Sequence, residues 1–179
     1  MFSNKNRFLT LSRVFYDITV FFSIFQPLQT GCDSGFGHAL AIRLDSLGMQ
    51  VFAGCLQERG HGAVTLREKC SKKLHVLKLD VTNIKDIDTV SEYIKGRVGS
   101  KGLWGLVNNA GVWYFAEMGM TPESIVQRVM DVNLFGAIRV TRTMLPLIKQ
   151  AQGRVINVSS LLGEKRGHDV LGEKIFFFI

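Results

Sequence analysis

Two hydrophobic rhythms take turns along this chain. Ala39, Leu40, Ile42, Leu44 and Leu47 recur at helical spacing and are followed by Gly48, which predicts a helix over 38–47. A short apolar run at 50–55 reads as a strand. Residues 58–70 are more polar and read as a helix whose start is loosened by Gly60 and Gly62. A second apolar run at 74–79 is a strand stopped by Asp80. Ile87, Val90, Ile94 and Val98 then make the apolar stripe of an amphipathic helix over 86–98. The strand at 103–107 runs into Asn108-Asn109-Ala110-Gly111. Thr121 as N-cap and Pro122 at the first helical position open a helix reaching to about residue 150, with Pro146 expected to kink its last part. A strand at 155–158 follows Gly153. Strand and helix at short intervals predict an α/β domain of three layers, α/β/α: a doubly wound parallel sheet covered on both faces. Right-handed crossovers then bring the C-terminal ends of the strands to one edge.

The residues with chemistry gather at that edge. Thr30-Gly31-Cys32-Asp33-Ser34-Gly35-Phe36-Gly37 lies between an apolar segment and the helix at 38. Glycines let the backbone turn tightly and approach a ligand, and a helix N-terminus offers free N–H groups and a positive dipole end to a pyrophosphate. The spacing T-G-x-x-x-G-x-G is longer than the G-x-G-x-x-G dinucleotide turn, and alone it reads as turn chemistry as readily as a phosphate site. Asp80 ends the third strand, Asn108 to Gly111 end the fourth, and Ser159 and Ser160 end the fifth. Four such groups at one rim are hard to attribute to packing.

Residues 1–29 break the pattern. Lys5, Arg7 and Arg13 with Ser3 and Ser12, and no acid before Asp17, have the composition of a basic, acid-poor transit segment. The stretch 14–25 is strongly apolar but interrupted by Asp17, and is short of the roughly 20 residues a membrane-spanning helix needs. A targeting peptide, a weak membrane anchor and a buried strand all fit. A strand must precede Thr30, yet Pro27 stands where a central parallel strand would run and removes a ladder donor, so the first strand is expected to be compromised.

Composition adds limits. Of 179 residues, 46% are hydrophobic and 21% charged, which is ordinary for one globular domain with a real core. The net charge of +7 could suit nucleic acid, but the basic residues are scattered, with no run and no interleaved aromatic stripe, so no nucleic-acid partner is expected. Such a field also suits an anionic dinucleotide. Cys32, Cys55 and Cys70 form no C-x-x-C, and Cys32 and Cys55 read as small buried filler in a reducing compartment. No His, Cys or carboxylate cluster has metal-ligand spacing, so no metal is expected.

Taken together and in order, T-G-C-D-S-G-F-G at 30–37, L-D-V at 79–81, L-V-N-N-A-G at 106–111, D-V-N-L-F-G at 131–136 and G-R-V-I-N-V-S-S at 153–160 resemble the short-chain dehydrogenase/reductase family. The form C-D-S-G-F-G, with F-A-G-C-L at 52–56 and G-L-W-G-L-V-N-N-A-G at 102–111, narrows the resemblance. It is similar to the group holding retinol dehydrogenases, 17β-hydroxysteroid dehydrogenases and D-3-hydroxybutyrate dehydrogenase. The resemblance covers about 30–163, and neither the extension at 1–29 nor the tail at 164–179 shares it. It implies a Rossmann-type sheet that binds NAD or NADP and interconverts an alcohol and a carbonyl.

Residue by residue, the resemblance implies that Gly31, Ser34, Gly35, Phe36 and Gly37 cradle the pyrophosphate. Asp80 and Val81 would meet the adenine, and Asn109, Ala110 and Gly111 would line the ribose. Asn133 matches the asparagine that holds a proton-relay water, and Ser160 the serine that orients the substrate oxygen. The expected substrate is a small lipophilic alcohol or ketone: a retinoid, a steroid or a 3-hydroxy acid. Association with a membrane, of the endoplasmic reticulum or the mitochondrion, is expected, and a homo-oligomer is open for a longer form. NAD is favoured over NADP. The second strand ends Gly54-Cys55-Leu56 with neither an acid for a ribose diol nor an Arg for a 2′-phosphate, while Asp33 in the glycine loop would repel that phosphate.

The family's acid/base, a tyrosine followed four residues on by a lysine, has no match. Tyr16, Tyr93 and Tyr114 are followed at that distance by Val20, Arg97 and Met118, and no tyrosine follows Ser160. The chain is therefore read as C-terminally incomplete and inactive as written. The rival reading is a non-catalytic dinucleotide binder or subunit partner.

Overall fold

The computed structural model describes residues 25–159 apart from 115 and 117. Most of the stretch 1–29, Ser160 and the tail at 164–179 lie outside the described residues. The elements in order are β1 (Pro27–Thr30), α1 (Gly35–Ser46), β2 (Val51–Cys55), α2 (His61–Lys69), β3 (Leu74–Lys78) and α3 (Ile84–Val98). They continue with β4 (Gly105–Asn108), α4 (Glu123–Met130), a π-helical segment (Asp131–Gly136), α5 (Ala137–Gln150) and β5 (Arg154–Asn157).

The five strands form one parallel sheet in the order β3-β2-β1-β4-β5. Every residue of β1, β2 and β4 is buried. That explains their continuous apolar runs, because a parallel sheet between two helical layers has no solvent face. Side chains alternate between the layers. Leu28, Phe52 and Leu106 pack with Ile87, Val90, Ile94 and Val98 of α3 and with Val140, Met144, Leu147 and Ile148 of α5. Ala53 and Val107 face the other way, onto Leu40, Ala41 and Leu44 of α1 and Ala63 and Leu66 of α2. This is the expected doubly wound, three-layer, Rossmann-type arrangement. Among the described residues no helix is long and apolar enough to cross a membrane.

Three elements differ from the sequence expectation. β1 is not compromised: it is the middle strand, paired with β2 and β4, and the sheet reaches back to Pro27, three residues before the expected start of the domain. Pro27 is the first residue of the strand, a place where a missing N–H breaks no interior ladder bond. α1 begins at Gly35 rather than 38, so the last glycines of the loop are already helical. Pro122 sits outside its helix, at the N-cap with ψ 141°, and Glu123 is the first helical residue. From there the chain stays helical to Gln150, as expected, but over Asp131–Gly136 it widens into π turns.

Candidate functional site: a cleft at the C-terminal edge of the sheet

β1 and β4 lie side by side, so the loops leaving them meet. The hydroxyl of Thr30 accepts hydrogen bonds from the backbone N–H groups of Asn109 (3.0 Å) and Ala110 (2.9 Å). In return, the Asn109 side-chain amide donates to the carbonyls of Thr30 (3.0 Å) and Gly31 (3.1 Å). These four bonds lock the glycine loop to the end of β4. The fit needs glycine: Gly31 has φ +69°, and a Cβ there would stand 2.8 Å from Ala110 Cα. At Gly37 a methyl group would strike the Gly31 carbonyl oxygen. Ser34, the N-cap of α1, makes no side-chain capping bond, which leaves first-turn N–H groups of α1 to a ligand.

The loop after β3 forms the next wall. Asp80 accepts from the Thr82 N–H (2.9 Å) and hydroxyl (2.7 Å), and its own N–H donates to Asp86 (3.0 Å). Asp86 also pairs with Lys78 at 2.9 Å. Burial would raise the Asp86 carboxyl, but the bonds from Lys78 and the Asp80 N–H outweigh it and hold the group below its ordinary range. Val81 is buried against the π-helical segment, where Gly136 gives it room: a Cβ on Gly136 would lie 2.6 Å from a Val81 methyl.

The π-helical segment directs Asn133 at the loop after β4. Its Oδ1 accepts from the Val112 N–H (2.8 Å) and its Nδ2 donates to the Val112 carbonyl (2.9 Å). Deeper, Asn108 Nδ2 donates to Thr141 Oγ1 (2.9 Å) on α5 and to Asn157 Oδ1 (2.8 Å) on β5, tying three elements together.

These walls enclose a cleft of about 1390 Å³. Gly31, Ser34, Gly35 and Phe36, Asp80 and Val81, and Asn109, Ala110 and Gly111 all line it. Gly37 is buried behind it and Asn133 supports it. Pockets for drug-sized ligands are roughly 300–1,000 Å³, so this one has room for a longer molecule. A second cavity of about 470 Å³ shares the Asn109–Gly111 wall and is lined by Asn133, Thr141, Asn157 and Ser159. Ser160 follows directly in the chain but lies outside the described residues. The residues present fit a dinucleotide: backbone donors at a helix N-terminus, glycines at close approach and a long trench across the strand ends.

Sequence reasoning gave Thr30 and Asn108 only as members of their motifs and gave Asn157 no part in the site. The signal was there for Thr30 and Asn108, each a polar residue closing a buried strand, but not for Asn157, whose strand is largely exposed.

The family profile described as short chain dehydrogenase matches residues 28–170. This chain belongs to the short chain dehydrogenase family. It is 50% identical to Retinol dehydrogenase 7 of Mus musculus over 134 residues, which is 75% of this chain and 42% of that protein. It is 49% identical to Estradiol 17-beta-dehydrogenase 2 of Rattus norvegicus over 135 residues, 75% of this chain and 35% of that one. A short-chain dehydrogenase from Streptomyces avermitilis has a similar structure, with TM-score 0.71, 29% identity, and coverage of 80% of this chain and 52% of its own. The chain thus spans about two fifths or less of the length of the two curated relatives. The trench lies where the loops leaving β1, β3 and β4 meet.

Proposed function

We propose that this chain is the dinucleotide-binding part of an NAD-dependent oxidoreductase acting on the alcohol or carbonyl group of a small lipophilic molecule. The observation that carries the reading is the meeting of the glycine loop, Asp80–Val81 and Asn109–Gly111 in one trench. NAD, when bound, supplies the hydride acceptor. The chain's own residues bind and orient. Gly31, Ser34, Gly35, Phe36 and Gly37 receive the pyrophosphate on backbone N–H groups. Asp80 and Val81 flank the adenine. Asn109, Ala110 and Gly111 line the ribose, and Asn133 holds the loop between the two cavities. Ser160 would orient the substrate oxygen. The relatives' names, retinol and estradiol dehydrogenases, favour a retinoid or steroid.

General acid–base catalysis typically contributes 10²- to 10⁴-fold. These 179 residues hold no Tyr-x-x-x-Lys to supply it. A polypeptide of these residues alone is therefore expected to bind NAD without oxidising alcohol. Calorimetric titration with NAD, alongside assays with retinol, estradiol and 3-hydroxybutyrate, tests both halves. Absence of binding would sink the first, and turnover by the 179 residues the second.

The composition of residues 1–29 supports delivery to a membrane of the endoplasmic reticulum or mitochondrion. A fluorescent reporter carrying those residues should localise accordingly, and a diffuse cytosolic signal would refute it.

A further inference from the structure

We infer that Asp33, lent by the glycine loop, is the residue that makes this chain choose NAD over NADP. The inference rests on the dinucleotide reading above. In dinucleotide-binding sheets the end of the second strand meets the adenosine ribose, where an acid holds the 2′-hydroxyl or an arginine receives a 2′-phosphate. β2 here ends in Cys55, followed by Leu56 and Gln57, and none of these is an acid or an arginine.

Asp33 brings the acid to the same place from elsewhere in the chain. Its Oδ2 accepts from the Leu56 N–H at 2.8 Å and its Oδ1 from the Gln57 N–H at 2.9 Å. The approach is built in. The Cys32 N–H donates to the Gly54 carbonyl at 2.9 Å, extending the bonding between β1 and β2 to the residue beside Asp33. Gly62 in the first turn of α2 packs directly on the Asp33 backbone, and a side chain there would collide with the Asp33 carbonyl oxygen. Asp33 and Leu56 both line the trench.

This arrangement discriminates twice. Each carboxylate oxygen accepts one backbone N–H and keeps acceptor capacity for a ribose hydroxyl, which can donate. A 2′-phosphate cannot donate when fully ionised. It would meet a fixed negative charge, and it would find the two backbone donors at the strand end already occupied. The neighbouring charges do not reverse this. Arg67 is bonded to the Glu58 carbonyl at 2.6 Å and paired with its carboxylate at 3.4 Å, while Arg59 is exposed.

The test uses the full 179-residue chain and measures Kd for NAD and NADP by calorimetry. Unmodified protein should bind NAD at least tenfold more tightly. Asp33→Asn, which keeps the size and removes the charge, should shrink that ratio at least tenfold, while Arg59→Ala should change it less than threefold. An Asp33→Asn protein that binds NAD with the original ratio, or unmodified protein that prefers NADP, would overturn the inference. Should Asp33→Asn fail to fold, two measurements on unmodified protein decide. Binding of 2′-deoxy-NAD should be at least tenfold weaker than that of NAD, and the disadvantage of NADP should narrow as NaCl rises from 0.02 to about 0.5 M, as screening requires. Equal binding of the deoxy analogue, or a ratio indifferent to salt, refutes it. If unmodified protein binds neither nucleotide, the dinucleotide reading itself fails and this inference falls with it.

Discussion

Asn133 grips both backbone groups of Val112, with its carbonyl oxygen on the N–H at 2.8 Å and its amide nitrogen on the carbonyl at 2.9 Å. The two-point hold fixes the loop from Asn109 to Trp113 against the π-helical segment, between the two cavities. Asn133→Ala should therefore cost about 1–3 kcal/mol of stability and weaken NAD binding, since the loop it frees lines the trench. Asn133→Asp, which keeps only the acceptor, should fall between. Urea unfolding and nucleotide titration read the two effects, and an unchanged Kd in the alanine variant would show that the loop holds itself.

Gln29 is fully buried in the middle strand, and neither end of its amide has a hydrogen-bond partner among the described residues. Its neighbours across the sheet are Ala53 and Val107. Gln29→Met keeps length and removes the unpaired polar atoms, so it should stabilise the protein by about 1–3 kcal/mol. A lower melting temperature in this variant would mean that the amide has a partner.

The three thiols should differ in reactivity. Burial, helped by the Asp33 carboxylate, pushes the Cys55 thiol up to about 12. Burial also raises Cys32, with Cys55 and Asp33 adding to it. Cys70 is raised too, by burial and Asp45, but is only half-buried. At pH 8 iodoacetamide should modify Cys70 first in folded protein, and all three at similar rates in urea. Mass spectrometry of timed digests would show the order, and early loss of Cys55 would contradict it.

Asp86 ties stability to acid. Its carboxyl is held below the ordinary 3.8 in the folded state, so its contribution is full above that value and lost as pH falls through the lower folded value. Asp86→Asn should cost about 1 kcal/mol at pH 7, and the gap from the unmodified protein should close in strong acid. A gap that does not depend on pH would show that the ion pair with Lys78 contributes nothing.

The parts of the fold visible in the sequence are those set by periodicity. Ile87, Val90, Ile94 and Val98 were legible as a helix stripe, and all four are buried in α3. The glycine loop and the polar strand ends were legible because their residue types are out of place in a core. Pro27 misled because its effect depends on where in the strand it falls, and position one is harmless. The π turns at Asp131–Gly136 leave no mark in composition, and the close approach of Val81 to Gly136 is likewise visible only once the elements are packed. The reach of Asp33 to Leu56 and Gln57 was hidden for a similar reason: it joins residues that only the pairing of β1 with β2 brings together.

The central place of β1 has a consequence for how the protein is made. The strand leaves the ribosome before either of its partners. β2 arrives one helix later, but β4 arrives only after β3 and α3. Until then the flank of Leu28 that will lie beside Leu106 is an open edge on the nascent chain, and closing it requires a long-range contact of the kind that slows folding. β2 and β3 are free to pair early, so pulse-labelled amide exchange during refolding should find them protected before the β1–β4 seam. Birth order and assembly order run opposite at the middle of this sheet, and the loops that leave the two strands of that seam line the trench.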